Sequence, residues 1–367
     1  SGRREGDEPS RWQERGLSQR SCRVVSDASM TVLVTGGTGY IGSHTCVELL
    51  EAGYDVVIVD DFSNSRRQVV ERLRRITGRS LPVFEIDLRD RAGLADVFSA
   101  YRIEAVIHFA GLKAVGQSVA MPLNYFDVNI NATLVLTQVM AAFGVHTLVF
   151  SSSATVYGEP DNLPIAETAP LKRPTNPYGR SKLFIEEILR DLIVADPAWR
   201  IGLLRYFNPV GAHRSGLIGE DPLGLPNNLM PIVAAAAAGR LESVAVYGND
   251  FPTADGTGVR DYIHVVDLAR AHVDALDYLR ARPGGEALTV NLGTGRGYSV
   301  LEVIRAFEAA SGRSIPHNFD DRRPGDIAAC YADPDLAHRL LGWHAELGIE
   351  RMCEDVWRWQ TGLDRQV

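Results

Sequence analysis

From Thr31 onward, short apolar runs alternate with longer stretches in which apolar residues recur at helical spacing. The apolar runs have the length of strands and cover 31–35, 54–60, 82–86, 105–110, 146–151 and 201–207. Their continuous Val, Ile and Leu residues indicate strands that are covered on both faces, as in a parallel sheet between helices. Alternating strands and helices predict a doubly wound α/β domain of the Rossmann type.

After about residue 208 the pattern loosens into segments rich in Pro and Gly. This texture suits a smaller, mixed α/β domain that covers a substrate, while the helical pattern over 265–281 returns to the first domain. We therefore predict a first domain over 30–207 together with 262–282, and a substrate-binding domain over 208–261 and 283–360.

Residues 1–29 mix arginine with acidic residues and show neither helical nor strand periodicity. Such a composition buries too little apolar surface to offset the entropy that is lost on ordering. We expect a disordered N-terminal extension, with Met30 as the functional start of the fold.

The formal net charge of −8 and the pI of about 5.6 argue against a nucleic-acid partner. No apolar run approaches the length of a membrane span, and no stretch has the architecture of a signal peptide. Cys22, Cys46, Cys330 and Cys353 are scattered without a pair at metal-ligand spacing, and the histidines form no ligand set. These features predict a reduced, cytoplasmic protein that binds neither a membrane nor a metal.

A glycine motif follows the first strand and opens a helix. Gly36, Gly39 and Gly42 lie three residues apart. The first permits a tight turn, the second lets main-chain N–H groups approach a pyrophosphate, and the third lets the helix pack close to the strand. The N-terminus of the helix adds partial positive charge, so the loop predicts a dinucleotide site.

Asp60 ends the second strand, where a carboxylate can bond the hydroxyls of an adenosine ribose. An acid at this position repels a 2′-phosphate and favours NAD over NADP. Arg66 and Arg67 follow soon after, which keeps NADP open as an alternative.

Tyr178 and Lys182 lie four residues apart, on one face if this stretch is helical, and Pro177 suits a first helical turn. A tyrosine with an unperturbed pKa of about 10 is a poor base. A neighbouring ammonium and the positive nicotinamide ring favour the phenolate, and a pKa of about 7 requires about 4 kcal/mol of such stabilisation. Ser153 follows the fifth strand, at the sheet edge that provides ligand contacts, and could pass a proton beside Tyr178.

A tyrosine and lysine at this spacing are, taken alone, more often a surface pair. Combined with the glycine loop and Ser153 in this chain order, they resemble the extended short-chain dehydrogenase/reductase superfamily from residue 31 to about 360. The segments VLVTGGTGYIGSHTCVELL, VIHFAGLKAVGQSV, FSSSATVYG, LLRYFNPVGAH, PNNLMP and DGTGVRDYIHV are similar to those of UDP-galactose 4-epimerases.

The resemblance implies two sets of contact residues. Those around NAD are Tyr40, Ile41, Asn64, Ser65, Asp87, Leu88, Phe109, Ala110, Gly111, Lys113, Asn129, Tyr178, Lys182 and Phe207. Those around the UDP-sugar are Ser153, Tyr178, Asn208, Asn228, Leu229, Ala245, Val246, Tyr247, Arg260, Arg323, Asp326 and Cys330. The two arginines suit a diphosphate because guanidinium presents a bidentate fork.

The reaction implied is inversion at C4 of the sugar. Tyr178, assisted by Ser153, removes the proton of the C4 hydroxyl while hydride passes to the nicotinamide. The 4-keto sugar turns about its diphosphate and receives the hydride on its other face. NAD is regenerated in each turnover and should therefore stay bound.

Three other functions compete with C4 epimerisation. A sugar-nucleotide 4,6-dehydratase needs an acid and a base where this chain has Ala154 and Thr155, neither of which exchanges protons at a useful pKa. A non-catalytic NAD-sensing module usually lacks the tyrosine and the lysine. A dehydrogenase that releases NADH stays open on motifs alone.

Two further expectations concern substrate range and assembly. Family members vary at the position of Cys330, and a small residue there leaves room for an N-acetyl group at the sugar C2. This predicts activity on UDP-N-acetylglucosamine and UDP-N-acetylgalactosamine. The family commonly pairs helices into homodimers, here from 117–143 and 180–195. The apolar candidates to face the partner are Val135, Val139, Ile185 and Ile188, and burial within one chain would equally explain them.

Overall fold

A computed structural model describes residues 29–224, 228–323 and 325–363. Its strands are β1 (Thr31–Thr35), β2 (Asp55–Asp60), β3 (Val83–Glu85), β4 (Ile103–His108), β5 (Thr147–Ser153), β6 (Arg200–Tyr206), β7 (Asn208–Val210), β8 (Val244–Tyr247), β9 (Val259–His264), β10 (Ala287–Leu292), β11 (Gly297–Ser299), β12 (His317–Asp320) and β13 (Ala329–Cys330). Of the extension predicted over 1–29, residues 1–28 lie outside the described residues.

The helices differ widely in length, from five to nineteen residues. They are α1 (Tyr40–Glu51), α2 (Gln68–Thr77), α3 (Arg91–Ala100), α4 (Val115–Ala120), α5 (Pro122–Phe126), α6 (Ala132–Ala142), α7 (Pro177–Ala195), α8 (Leu229–Ala237), α9 (Val265–Arg280), α10 (Val300–Ser311), α11 (Asp335–Leu341) and α12 (Ile349–Leu363). A π-helical turn over Asp127–Asn131 joins α5 to α6, and a 3₁₀ turn over Ala154–Tyr157 follows β5.

The central sheet has seven parallel strands in the order β10-β6-β5-β4-β1-β2-β3. Val34 and Ile58 point into a core with α1 and α9, whereas Leu33 and Val57 point into the opposite core with α6 and α7. Apolar side chains on both faces explain the continuous apolar runs of the sequence. The predicted doubly wound fold is confirmed.

The chain order reverses between β1 and β4, where the connections leave the sheet in opposite directions. Ligands of open α/β sheets bind at the carboxyl ends of strands beside such a point. The glycine loop after β1 and residues 109–113 after β4 flank it directly.

Residues beyond β6 build the second region. β11, β9, β13 and β7 form one small sheet, and β8 pairs in parallel with β12. α8, α10 and α12 pack around a core of their own, which includes Val233, Val246 and Phe307.

Two elements pack with the first domain although they lie outside the range predicted for it. β10 pairs in parallel with β6 as the seventh strand of the central sheet, and α11 packs against α9 and β10. Both were assigned to the substrate-binding domain within 283–360. The chain therefore returns to the first domain through β10 and α11 as well as through α9, which packs against α1.

The helical stretch predicted over 117–143 is broken. Met121 is not helical, and Pro122 starts a new helix after it. The π-helical turn then interrupts the α-helical hydrogen-bond pattern before α6. Val139 and Ile185 are buried in the core of the first domain, so burial within the chain, the alternative to a partner contact, accounts for these two residues. No helix among the described residues is both long and apolar enough to cross a bilayer.

Candidate active site

Close contacts shape the glycine loop after β1. Gly36 has a φ of +66°, and a Cβ on it would lie 2.8 Å from the main-chain N of Ala110. A Cβ on Gly42 would lie 2.2 Å from the carbonyl oxygen of Gly36, so the first turn of α1 packs directly on the loop. Gly39, the N-cap of α1, has no side chain with which to cap the helix. The N–H groups of this turn therefore face outward as donors, which fits a pyrophosphate.

The carboxylate of Asp60 is buried at the end of β2 and accepts hydrogen bonds from Thr38 N (3.0 Å), Phe62 N (2.9 Å) and Ser65 Oγ (3.0 Å). These bonds fix the carboxylate beside the loop. Ser65 therefore orients the carboxylate of Asp60 through a hydrogen bond. Asn64 is exposed, and its Oδ1 accepts a bond from Leu223 N at 3.4 Å.

The two arginines that kept NADP open are engaged elsewhere. Arg66 Nε pairs with Asp221 at 2.9 Å, and Arg67 pairs with Glu85 and stacks on Phe62. The structure therefore favours a dinucleotide without a 2′-phosphate at this site.

The segment after β4 closes over the glycine loop. Phe109 packs on His272 with ring centroids 4.7 Å apart, and Ala110 is the residue that meets Gly36. Gly111 has a φ of +153° and is held close to Asn129. The amide of Asn129 accepts from Leu112 N at 2.8 Å, and donates to Leu112 O and Ser181 Oγ at 3.0 Å. It thus ties this segment to α7.

Asp87 and Leu88 follow β3 and differ in what they can offer a cofactor. Leu88 is buried in the core. The Asp87 carboxylate is bound by Arg89, a hydrogen bond that lowers the pKa of the acid. Its side chain is therefore already engaged within the protein.

Ser153, Tyr178 and Lys182 meet at the carboxyl end of β5. Asn176 caps α7 by accepting from Gly179 N at 2.8 Å, and Pro177 begins the helix as predicted. This start places Tyr178 and Lys182 on one face, directed at β5. Lys182 Nζ donates to the carbonyl oxygen of Ser151 at 2.7 Å.

The protein's own groups act on the pKa of Tyr178 in opposite directions. Burial raises its pKa above the ordinary value, and a hydrogen bond with Ser153 opposes that effect. The ammonium of Lys182 lies 5.9 Å from the Tyr178 ring centroid and is bonded to Ser151 instead of the phenol. Burial lowers the pKa of Lys182 itself to about 7, so at neutral pH this side chain is less fully protonated than an ordinary lysine.

Several of the predicted substrate residues lie on or next to strands β7, β9 and β13. Phe207 and Cys330 pack in one cluster with Ala154, next to Ser153. Cys330 is paired in register with Arg260, whose Nη1 donates to Val259 O (2.9 Å) and Ile327 O (3.0 Å). Asn208, which starts β7, is exposed.

A second group of substrate residues surrounds β8. The guanidinium of Arg323 stacks 3.7 Å from the ring centroid of Tyr247, and Asp326 N donates to Arg323 O at 3.1 Å. Ala245 and Tyr247 lie on the accessible side of β8, but Val246 is buried. Any contact from Val246 is therefore made by its main chain.

Sequence reasoning missed Glu220. Its Oε1 accepts from Lys113 Nζ at 3.0 Å and from Asn228 Nδ2 at 2.8 Å, which joins a predicted cofactor residue to a predicted substrate residue. Leu229 then begins α8. Tyr40 lies close by, donating its OH to Gly211 O at 2.7 Å, while Ile41 packs on the core. Glu220 lies in an irregular loop whose pattern carried no signal.

Comparisons with known proteins find mainly UDP-glucose 4-epimerases. The family model described as GDP-mannose 4,6 dehydratase matches residues 33–356. The chain is 59% identical to the UDP-glucose 4-epimerase of Bacillus subtilis over 332 residues, covering 90% of this chain and 97% of that one. It is 57% identical to the human UDP-glucose 4-epimerase, covering 90% of this chain and 96% of that one.

The crystal structure of UDP-glucose 4-epimerase from Bifidobacterium longum, in complex with NAD⁺ and UDP, matches with a TM-score of 0.89 at 56% identity. The match covers 92% of this chain and all of that one. The chain belongs to the UDP-glucose 4-epimerase family.

The matching family model is named after a dehydratase, but this chain lacks the side chains that a dehydratase needs. The 3₁₀ turn after β5 contains Ala154 and Thr155, where a dehydratase needs an acid and a base. Ala154 packs in the apolar cluster with Phe207, and Thr155 Oγ1 donates to Ser153 Oγ at 3.0 Å. Neither side chain can carry a proton for an elimination, so the dehydratase alternative is not favoured.

Within the part of the chain that the structure describes, no group of three or more His, Cys, Asp or Glu side chains could hold a metal ion.

Proposed function

We propose that this chain interconverts UDP-galactose and UDP-glucose by epimerisation at C4, with NAD as a tightly held cofactor. The observation that carries the proposal is the meeting of Ser153, Tyr178 and Lys182 beside the Gly36–Gly42 cradle, in a chain of the UDP-glucose 4-epimerase family. This is an NAD-dependent isomerase site.

The cofactor residues divide the work of holding a dinucleotide. The first turn of α1 donates N–H groups to the pyrophosphate, and Asp60 accepts from the adenosine ribose. Lys182 and Asn129 lie toward the other end, beside Ser153 and Tyr178. When bound, NAD supplies a reversible hydride acceptor that carries positive charge.

Tyr178 exchanges the proton of the sugar C4 hydroxyl, and Ser153 holds or passes that proton. Burial by itself raises the pKa of Tyr178, so the phenol needs added positive charge before it can act as a base. The oxidised 4-keto sugar turns about its diphosphate, and the hydride returns to the opposite face. Arg260 and Arg323 hold the diphosphate, so that binding energy is concentrated away from C4.

Cys330 supports a wider substrate range. It is a small side chain in the cluster with Ala154 and Phe207, on the strand that pairs with Arg260. A small residue here leaves room beside the sugar C2 substituent. We infer that the N-acetylated UDP-sugars are also substrates.

We also infer a cytoplasmic homodimer. Cys46, Cys330 and Cys353 are free thiols, as in a reducing compartment. Exposed apolar side chains on the helices next to α7 support pairing with a second copy.

The decisive experiment starts with purified protein passed through gel filtration and then assayed for bound NAD. Incubation with UDP-galactose should give UDP-glucose until both are present, without net NADH absorbance. Accumulating NADH would indicate a dehydrogenase, and a 4-keto-6-deoxy product would indicate a dehydratase. Either result overturns the proposal.

A further inference from the structure

One face of α7 presents Tyr178, Lys182 and Glu186 at intervals of four residues. Each of the three engages a different residue of the serine triplet that ends β5. Tyr178 is hydrogen-bonded with Ser153, Lys182 with Ser151, and Glu186 with Ser152. Epimerisation uses the first two side chains directly, but it assigns no task to the third.

Glu186 is fully buried and is held by a buried arginine. Arg205 Nε donates to Oε1 at 2.9 Å and Arg205 Nη2 to Oε2 at 2.5 Å, a bidentate pair. The same guanidinium donates to Tyr157 OH at 3.1 Å and lies 4.9 Å from that ring centroid. Tyr157 OH donates in turn to Asn291 Oδ1 on β10 at 2.6 Å. The pair therefore locks α7 to three strands of the central sheet.

Stability alone is a weak reason to bury such a pair. Desolvating two charges costs about as much as their attraction returns, and apolar residues of similar volume often do as well. The location offers a better reason. The carboxylate lies one helical turn from Lys182, whose ammonium is itself buried beside Phe150.

We propose that Glu186, held by Arg205, is a positioning residue for Lys182. It keeps α7 in register with the serines of β5, and it supplies the buried negative charge that stabilises the protonated ammonium. The inference rests on the proposed function only where Lys182 is taken to serve the reaction.

The charges around Lys182 agree with this assignment. Burial lowers the pKa of Lys182, and Glu186 opposes that effect. The other titratable or charged groups that face this part of the site are His108 on β4, Tyr125 on α5, Tyr178 and Arg190 on α7, and Arg205 and Tyr206 on β6, with Arg190 Nη2 3.8 Å from Glu186 Oε2. Burial lowers the pKa of His108 to about 3 and raises those of the three tyrosines, so these four groups are uncharged at neutral pH.

The lysines of this chain are Lys113, Lys172 and Lys182, which makes a direct titration practical. Protein labelled with ¹³C at the lysine ε-carbon is titrated by NMR, with Lys182→Met to assign the signal. Glu186→Gln should lower the pKa of Lys182 by about one pH unit or more, because an opposite charge is lost. Glu187→Gln removes a carboxylate from the exposed side of the same helix and should leave the pKa of Lys182 unchanged.

Glu186→Gln leaves Arg205 buried and unpaired, so this variant could fail to fold. The double variant Glu186→Gln with Arg205→Met removes both charges and keeps the volume. It should fold, as judged by thermal unfolding, and should still show a Lys182 pKa below that of the wild type. An unchanged Lys182 pKa in a folded variant overturns the proposal.

Activity provides the second measurement. If the ammonium form of Lys182 is required, turnover of UDP-galactose falls as pH rises through its pKa, and in the variants this fall should move to lower pH. A wild type that converts no UDP-sugar contradicts the proposed function but leaves the NMR result valid. A wild type that is active, with variants of unchanged pH profile and unchanged Lys182 pKa, refutes only the role of Glu186.

Discussion

At the scale of single residues, the proposed function assigns the proton transfer to the phenol of Tyr178. Tyr178→Phe removes the hydroxyl while keeping the half-buried ring, so the fold and bound NAD should be retained. Turnover of UDP-galactose should fall by about 10²–10⁴-fold, the contribution typical of a general acid–base. Tyr278→Phe, on α9 and away from the site, provides the matched control. Activity within a few-fold of wild type would show that another group moves the proton.

Cys330 sets the second prediction at this scale. Its neighbours Ala154, Phe207 and Ala332 are packed, so a tyrosine here fills the space beside the sugar. Overfilling a formed pocket is costly, and Cys330→Tyr should abolish conversion of UDP-N-acetylgalactosamine while sparing UDP-galactose. Product analysis with both substrates tests this. A wild type that converts UDP-galactose but never the N-acetylated sugar would contradict it.

Residue roles were predictable where local geometry alone decides them. The Gly36–Gly42 turn, the Pro177 start of α7 and the spacing of Tyr178 and Lys182 follow from backbone sterics and helical period. The raised pKa of Tyr178 was not predictable, because it depends on how deeply the ring is buried and on Lys182 bonding to Ser151. The role of Glu220 was hidden for the same reason, since its partners are distant in sequence.

At the scale of elements, the first six strands of the sheet were predictable because buried parallel strands are continuous apolar runs. β10 was misplaced because its pattern is equally suited to either domain, and only pairing with β6 decides. The helix over 117–143 was overextended, since helical spacing of apolar residues persists through Pro122 and the π-helical turn. Periodicity shows which face is buried, but it does not show where the chain bends.

The contact between α1 and its loop supports a third prediction. In Gly42→Ala the new Cβ would meet the carbonyl oxygen of Gly36 at 2.2 Å, so α1 must shift away from the loop. We expect a loss of about 1–3 kcal/mol in the free energy of unfolding and a marked loss of bound NAD after gel filtration. Gly116→Ala on α4 is the control, because no described atom lies within 4 Å of its Cβ position apart from its chain neighbours and the backbone of its own helix. Full NAD retention in Gly42→Ala would remove the cradle assignment.

At the scale of the whole molecule, buried histidines make the fold sensitive to acid. Burial lowers the pKa of His44 and His108 to about 3 and that of His272 to about 4. The unfolded chain takes up these protons near pH 6.5 and the folded chain does not, so stability is present above that pH and is lost as pH falls toward 4.

The expected loss is about 1 kcal/mol per histidine for each pH unit below 6.5. Urea unfolding at a series of pH values measures it. His272→Gln should remove its own share, giving a shallower fall than the wild type. An acid dependence identical in the two proteins would show that His272 is protonated in the folded chain.

Assembly is the last property at this scale. Val139 and Ile185 are buried within the chain, yet neighbouring apolar side chains stay exposed. Leu123 on α5 is 81% exposed and Val119 on α4 is 63% exposed, while Phe184 projects from α7 beside Phe126. These residues form an apolar face on the helices next to α7, and covering such a face is favourable at about 25 cal/mol per Å².

We therefore expect a homodimer at micromolar concentration in sedimentation experiments. Leu123→Glu with Val119→Glu places buried carboxylates in the interface and should yield monomers without lowering the stability of each chain, because both side chains are already exposed. Leu340→Glu changes an exposed leucine on α11, across the sheet from this face, and should remain dimeric. A wild type that sediments only as a monomer excludes the dimer, and a double variant that stays dimeric places the interface elsewhere. Since α7 carries both Phe184 and the proposed catalytic residues Tyr178 and Lys182, pairing through this face would also hold in place the helix that the proposed reaction uses.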